Sequence, residues 1–234
     1  MKRFIYMAIA LTGVMLSSCS DDDKLPDVTP DARGTVTDNQ GNVYDWVRIG
    51  DQMWTTTNAK NGTSLAEAEY FNNIRWTYVL GTQAAIDDYE QNYLPVHGNL
   101  LSFDEAMESA PDGWRLPSDN DWQKLEKTLG IKNPDKYGHR GDGVAYSMME
   151  TDSGCELGLS FNGSCVPIKS FGWIDMNLDF VGEYGYYWTS TINPDYADDT
   201  MVYCRRITAN SGAVSRFCLS ASCYLGVRWV KDVE

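Results

Sequence analysis

Six cysteines are the side chains best suited to chemistry in this 234-residue chain, and their positions divide them into two groups. Cys19 ends a stretch in which Lys2 and Arg3 precede an apolar run, Phe4 to Met15, followed by Leu16-Ser17-Ser18. A positive start, a short apolar run and small residues before a cleavage point make an export signal. The run is too short to span a bilayer, which takes about 20 apolar residues in a helix. A cysteine at that cleavage point is the acceptor for diacylglycerol, so Cys19 is expected to be lipidated and to anchor the chain. More than one acyl chain gives stable anchoring where one gives marginal binding. The other five, Cys155, Cys165, Cys204, Cys218 and Cys223, would lie in a compartment that permits disulfides. Five is odd, so one stays free or pairs outside the domain. Cys155 and Cys165 could close a small loop. Cys204 and Cys218 are equidistant from Ser211 in an expected hairpin, and Cys218 with Cys223 is the competing pair.

Oxygen and ring chemistry are concentrated late in the chain. Asn193-Pro194-Asp195-Tyr196-Ala197-Asp198-Asp199 puts three carboxylates into five residues. Calcium takes six to eight oxygens, so Asp195, Asp198 and Asp199 are calcium candidates, against the simpler reading of a solvated turn. No other cofactor is implied. Trp173, Tyr184 and Tyr186 flank a loop-rich region and are the candidates for stacking on a ligand. His97 and His139 are far apart in sequence, and no zinc-hydrolase, phosphate-loop or nucleophile-elbow motif occurs. The carboxylates could supply a glycosidase pair, but sequence cannot select two of them. A net charge of −14 leaves no basic face for phosphates and excludes nucleic acid as a partner.

Residues 1–19 are thus the signal. Residues 20–33, with the acidic run Asp21-Asp22-Asp23 and prolines 26 and 30, read as a flexible tether, and 34–234 as one domain. The domain opens as a β-meander: Gly34 to Thr37, a turn at Asp38 to Asn42, alternating Val43 to Ile49, and a return over Gln52 to Thr56. Helices are expected over 64–70 and 82–93. Ser102-x-x-Glu105 is a capping box for a helix to about Ser109. Ser118 caps another, with Asp119 and Asp121 in its first turn, Trp122, Leu125 and Leu129 on one face, and Gly130 as its stop. Residues 131–182 read as long loops. Strands follow over 184–191, 201–209, 213–220 and 225–230, the middle two joined at Asn210-Ser211-Gly212. The fold class is α+β.

The ordered blocks Gly41-Asn42-Val43-Tyr44, Ile49-Gly50-Asp51-Gln52-x-Trp54, Gly98-Asn99-Leu100-Leu101-Ser102-Phe103, Gly113-Trp114-Arg115-Leu116-Pro117-Ser118-x-x-x-Trp122, Gly185-Tyr186-Tyr187-Trp188-Thr189-Ser190 and Gly226-Val227-Arg228 resemble the Fibrobacter succinogenes major paralogous domain. That family is common in surface lipoproteins of Bacteroidetes and Fibrobacteres, where an acidic run after the lipidated cysteine is similar to a signal for export to the outer face. The resemblance implies an outer-membrane, outward-facing lipoprotein. It also implies a C-type-lectin-like fold, with twisted antiparallel sheets, two main helices and long loops, near the formylglycine-generating enzyme. Trp54, Trp114, Trp122, Trp188 and Trp229 fall in the shared blocks and are expected in the core. The family's cysteines before the Pro-x-Gly-Trp block and in the closing strand are replaced by Ala110 and Trp229. Cys218-x4-Cys223 matches the spacing of that enzyme's copper-binding pair, but Arg216 is the only base nearby. The leading expectation is a non-enzymatic module that binds a glycan or a surface protein in adhesion or nutrient capture. A cysteine- and copper-dependent oxidase and a structural subunit of a surface or fimbrial assembly are the alternatives.

Overall fold

A computed structural model describes residues 25–62, 87–149, 154–170, 173–196 and 200–233, with the backbone alone in 167–170 and 173–177. The expected signal with Cys19, the helices over 64–70 and 82–86, and Asp198 and Asp199 lie outside the described residues. The architecture is α+β, with three four-stranded sheets among the described residues. The chain ends close one of them: β1 (Ala32–Thr37), β2 (Val43–Ile49) and β3 (Gln52–Thr55) are joined by the last strand, β12 (Val230–Asp232). The first turn is set by Asp38, whose carboxylate accepts from the Gln40 and Asn42 amides at 2.9 Å and from the Tyr44 hydroxyl at 2.8 Å. Alternation then sends Val47 and Ile49 into the core beside Trp54, the cross-strand partner of Val47. Trp46 lies on the other face over Gly34. A Cβ there would stand 2.4 Å from its ring, so only glycine fits.

The helices expected after Ser102 and Ser118 stand where their capping residues put them. A π-helical turn (Tyr89–Tyr93) runs into α1 (Leu94–His97), carrying the expected helix past residue 93. Both α2 (Phe103–Glu108) and α3 (Asp119–Thr128) begin with complete capping boxes, Ser102 with Glu105 and Ser118 with Asp121. Trp122, Leu125 and Leu129 are buried as one stripe.

The stretch 131–182 is not the run of loops expected. It holds β5 (Gly138–Arg140), α4 (Val144–Met149), β6 (Ser164–Ser170) and β7 (Trp173–Asp179). Pro167 argues against a strand, since it cannot donate to a ladder. It is tolerated because β6 contacts β11 only at Cys165, leaving the strand beyond it paired with β7 alone. The final strand expected over 225–230 is also divided. β11 (Tyr224–Leu225) joins the sheet β4-β11-β6-β7, where β4 is Leu101–Ser102, and the chain crosses to β12 in the first sheet. Between them the fully buried Arg228 donates to Asn58 Oδ1 at 2.6 Å and to the carbonyls of Thr55, Leu157 and Gly158. It ties three segments together with no carboxylate among those partners. Burial lowers its pKa to about 10.

The third sheet, β5-β10-β9-β8, separates two cores; β8 is Tyr184–Ile192, β9 Met201–Thr208 and β10 Val214–Ser220. One face, with Tyr187, Ile207 and Val214, packs under α3 and α4. The other, with Tyr186, Trp188 and Cys204, meets Leu101, Phe103 and Trp229. The β9–β10 turn uses Ala209 as well as Asn210-Ser211-Gly212, closed by Thr208 N donating to Ala213 O at 3.0 Å. Cys204 therefore faces Phe217, and Cys218 faces Tyr203. The expected opposition of Cys204 and Cys218 is wrong by one residue, which turns the two side chains to opposite faces. No disulfide joins the described residues. Nor are Cys155 and Cys165, or Cys218 and Cys223, joined: Cys165, Cys204, Cys218 and Cys223 are buried thiols, and Cys155 Sγ donates to Ser147 O at 3.1 Å.

Candidate ligand-binding site

Parity along β8 puts Tyr184 and Tyr186 on one face, two of the three residues singled out for stacking. Register then supplies their company. Tyr186 pairs with Arg206 on β9, and Phe217 of β10 reaches the same face one row on. The Arg206 guanidinium carbon lies 4.9 Å from the Tyr184 ring centroid and 5.6 Å from that of Phe217, so the cation sits between two rings. Tyr184 and Tyr186 are 6.1 Å apart edge to face, and Tyr186 and Phe217 are 6.0 Å apart. Phe180 completes the cluster from the turn after β7. It lies 5.4 Å from Tyr184 and 6.4 Å from Tyr186, and is 47 % exposed. Its φ of +66° is a left-handed conformation that a side chain this large rarely adopts.

The polarity of the cluster is uneven. Burial pushes the Tyr186 phenol up, and Arg206 beside it pulls the other way. Arg206 Nε is buried without a hydrogen-bond partner among the described residues. Phe180 is the open edge, Tyr184 and Phe217 are partly buried, and Tyr186 is the buried floor. Rings with an accessible edge and a fixed guanidinium behind them suit a ligand with apolar faces and acceptor oxygens.

The other expected site residues are spread more widely. Trp173 opens β7, paired with Ser170, and only its backbone is described. Asp195 is in the turn after β8, where its amide donates to Asn193 Oδ1 at 3.0 Å. No group of three metal-ligating side chains occurs among the described residues. Cys218 accepts from Asn193 Nδ2 at 3.2 Å, while Cys223 is in the second core, where burial pushes its thiol up to about 11. Trp54, Trp122, Trp188 and Trp229 are fully buried as expected. Trp114 is only half-buried, 6.4 Å from Trp46.

Sequence reasoning missed Phe180, Arg206 and Phe217. The signal for the last two was the register of β9 and β10; for Phe180 no sequence signal existed. A depression of about 570 Å³ lies elsewhere, along Arg33, Asp45, Thr57 and Glu156. Arg33 and Glu156 are already locked in a two-point ion pair across it, and no ring of the aromatic cluster enters it.

No curated protein and no solved structure matches the chain. The family model described as the Fibrobacter succinogenes major domain matches residues 47–231, which take in α2, α3, both cores and the aromatic cluster. With most of its length matched, the chain belongs to the Fibrobacter succinogenes major domain family.

Proposed function

We propose that the chain is a lipid-anchored, outward-facing binding module of the outer membrane with a C-type-lectin-like fold and no catalytic role. It takes a glycan or a surface protein on the Phe180–Tyr184 edge. The observation that carries this reading is the guanidinium of Arg206 held between two rings beside an exposed phenylalanine in a strained backbone conformation. Strain at an exposed ring persists only where surrounding structure enforces it, and such positions cluster at ligand contacts. Sugars present apolar C–H faces to rings and hydroxyl acceptors to guanidinium donors, which matches both halves of the cluster. The apolar run before Cys19 supports the anchor, and calcium is proposed only at the loop containing Asp195.

A glycan array probed with the full mature chain, first in calcium and then in chelator, tests this. Saturable binding that falls at least about tenfold in Tyr184→Ala, roughly the 1.4 kcal/mol of one lost ring contact, supports the site. Loss in chelator assigns the ion as well. No binding in either condition refutes the glycan reading and shifts the search to co-purifying surface proteins.

A further inference from the structure

The point where the tether meets the domain limits how the domain can sit over its anchor. Pro26 rests on Gly130, where a Cβ would meet the proline ring at 2.6 Å, and Leu25 lies over Gly143. Val28 packs against the first core, and Pro30 is buried. The chain is thus fastened from Leu25 onward. Only six peptide steps separate Leu25 from Cys19, a span of at most about 20 Å even if fully extended. A domain of this size is roughly 40 Å across. A leash of half that length keeps the far side from the bilayer and holds the near side against it.

The near side has the side chains that such contact needs. Leu25 is 36 % exposed and Tyr146 46 % exposed. Tyr146 lies against Gly212, within the same patch as Gly143, and its hydroxyl donates to Ala209 O at 2.9 Å. Lys132 and Lys136 are exposed and line, with Leu25 and Pro26, a depression of about 490 Å³. Neither has a carboxylate within ion-pair distance among the described residues. Asp135 is nearby, and Asp142 is paired with His139 at 2.7 Å. An exposed tyrosine and leucine flanked by lysines is the composition favoured at the headgroup layer, where rings enter the interface and ammonium groups reach phosphates.

We propose that the end of the domain formed by Leu25, Tyr146, Lys132 and Lys136 is a membrane-contact surface, seated on the bilayer to which Cys19 is anchored. This rests on the proposed lipidation of Cys19. The aromatic cluster is on the opposite face of the sheet β5-β10-β9-β8 from α4, with its Tyr184 end, like Tyr146, beside Ala209. The turn with Asp195, at the other end of that sheet, points away from the membrane.

The test compares the full lipidated chain, reconstituted in vesicles of phosphatidylcholine with phosphatidylglycerol, with the soluble Cys19→Ser chain. Both are acetylated briefly and the rate at each lysine is read by mass spectrometry. Lys132 and Lys136 are expected to react about fivefold more slowly on vesicles, the factor one headgroup contact per lysine is worth. Exposed Lys60 is expected to react equally in both. Equal rates at Lys132 and Lys136, or protection of Lys60 instead, would overturn the proposal. So would equal protection of Lys132 and Lys136 in both chains, which would mean that Asp21-Asp22-Asp23 covers them. The intact mass separates the two ideas: without a diacylglyceryl adduct on Cys19 the anchor reading fails and the proposal with it, whereas an adduct with unprotected lysines refutes only the contact surface.

Discussion

Glu126 offers the sharpest test of how this fold is held together. It is fully buried in α3, and each carboxylate oxygen holds a different guanidinium: Oε1 accepts from Arg205 Nε and Oε2 from Arg140 Nη2, both at 2.5 Å. Arg205 has a second carboxylate, Asp119, at 2.7 Å. Among the described residues Arg140 has only the carbonyls of Pro134 and Val214 besides. Glu126→Ala would therefore leave Arg205 half-compensated and Arg140 a buried cation with neutral partners. Removing one member of a buried pair costs about 3–5 kcal/mol. That is a large share of the roughly 5–15 kcal/mol by which domains are stable. Chemical denaturation followed by tryptophan fluorescence would measure it, with equal slopes confirming that the same surface unfolds. Glu126→Leu with Arg140→Met should recover most of the loss, because removing both charges also removes their desolvation. A loss under about 1 kcal/mol for Glu126→Ala would mean that water reaches Arg140, and the account of a dry ionic cluster would fail.

Three further outcomes are expected. Gly34→Ala drives a methyl into the Trp46 ring and should cost about 1–3 kcal/mol, with a shifted Trp46 emission; an unshifted spectrum and full stability would show that the ring is free to move. Burial raises the carboxyls of Asp119 and Asp121, but hydrogen bonds from Arg216 and Arg205 to the first and from Arg115 and Ser118 to the second more than offset it, so both lie below their ordinary values. Their stabilisation is complete above the unfolded value of 3.8 and is lost as pH falls through the lower folded values. Unfolding midpoints should therefore drop below about pH 4, and Asp121→Asn should flatten that drop. Arg228→Met removes four hydrogen bonds and strands the carbonyls of Thr55, Leu157 and Gly158. It should cost at least about 3 kcal/mol, and full expression with an unchanged melting temperature would contradict the role given to that residue.

The parts of this fold that were legible in the sequence are those whose causes are local. Ser102 with Glu105 and Ser118 with Asp121 are contacts within four residues of chain, so their helices could be read directly. The strands β6 and β7 have no such signal. The sequence from Trp173 to Asp179 does alternate, with apolar Ile174, Met176 and Leu178 alternating with polar residues. That pattern was masked by flanking Gly and Asn and by Pro167, and the strands exist because they pair with each other. Arg228 shows the same limit. Its position in a Gly-x-Arg block was visible, but the four acceptors that hold it come from segments about 70 and 170 residues away.

The candidate site was half-legible for a reason that lies in one turn. Tyr184 and Tyr186 share a face by parity alone. What they share it with depends on how β10 lies against β9, and that depends on whether the turn begins at Ala209 or Asn210. With the shorter turn, Cys218 and Arg216 would share the face of Arg206, and two cations would compete for the rings. With Ala209 included, Phe217 faces Arg206's side, and Arg216 goes to the other, where its guanidinium meets the Asp119 carboxylate at 2.8 to 3.1 Å. Arg205 and Arg206 make the same point from β9. They are adjacent and of one type, yet the first is sealed against Glu126 and the second lies among aromatic rings. The same register thus separates the ionic interior under α3 from the aromatic surface, and a one-residue error is enough to lose the site while keeping every strand.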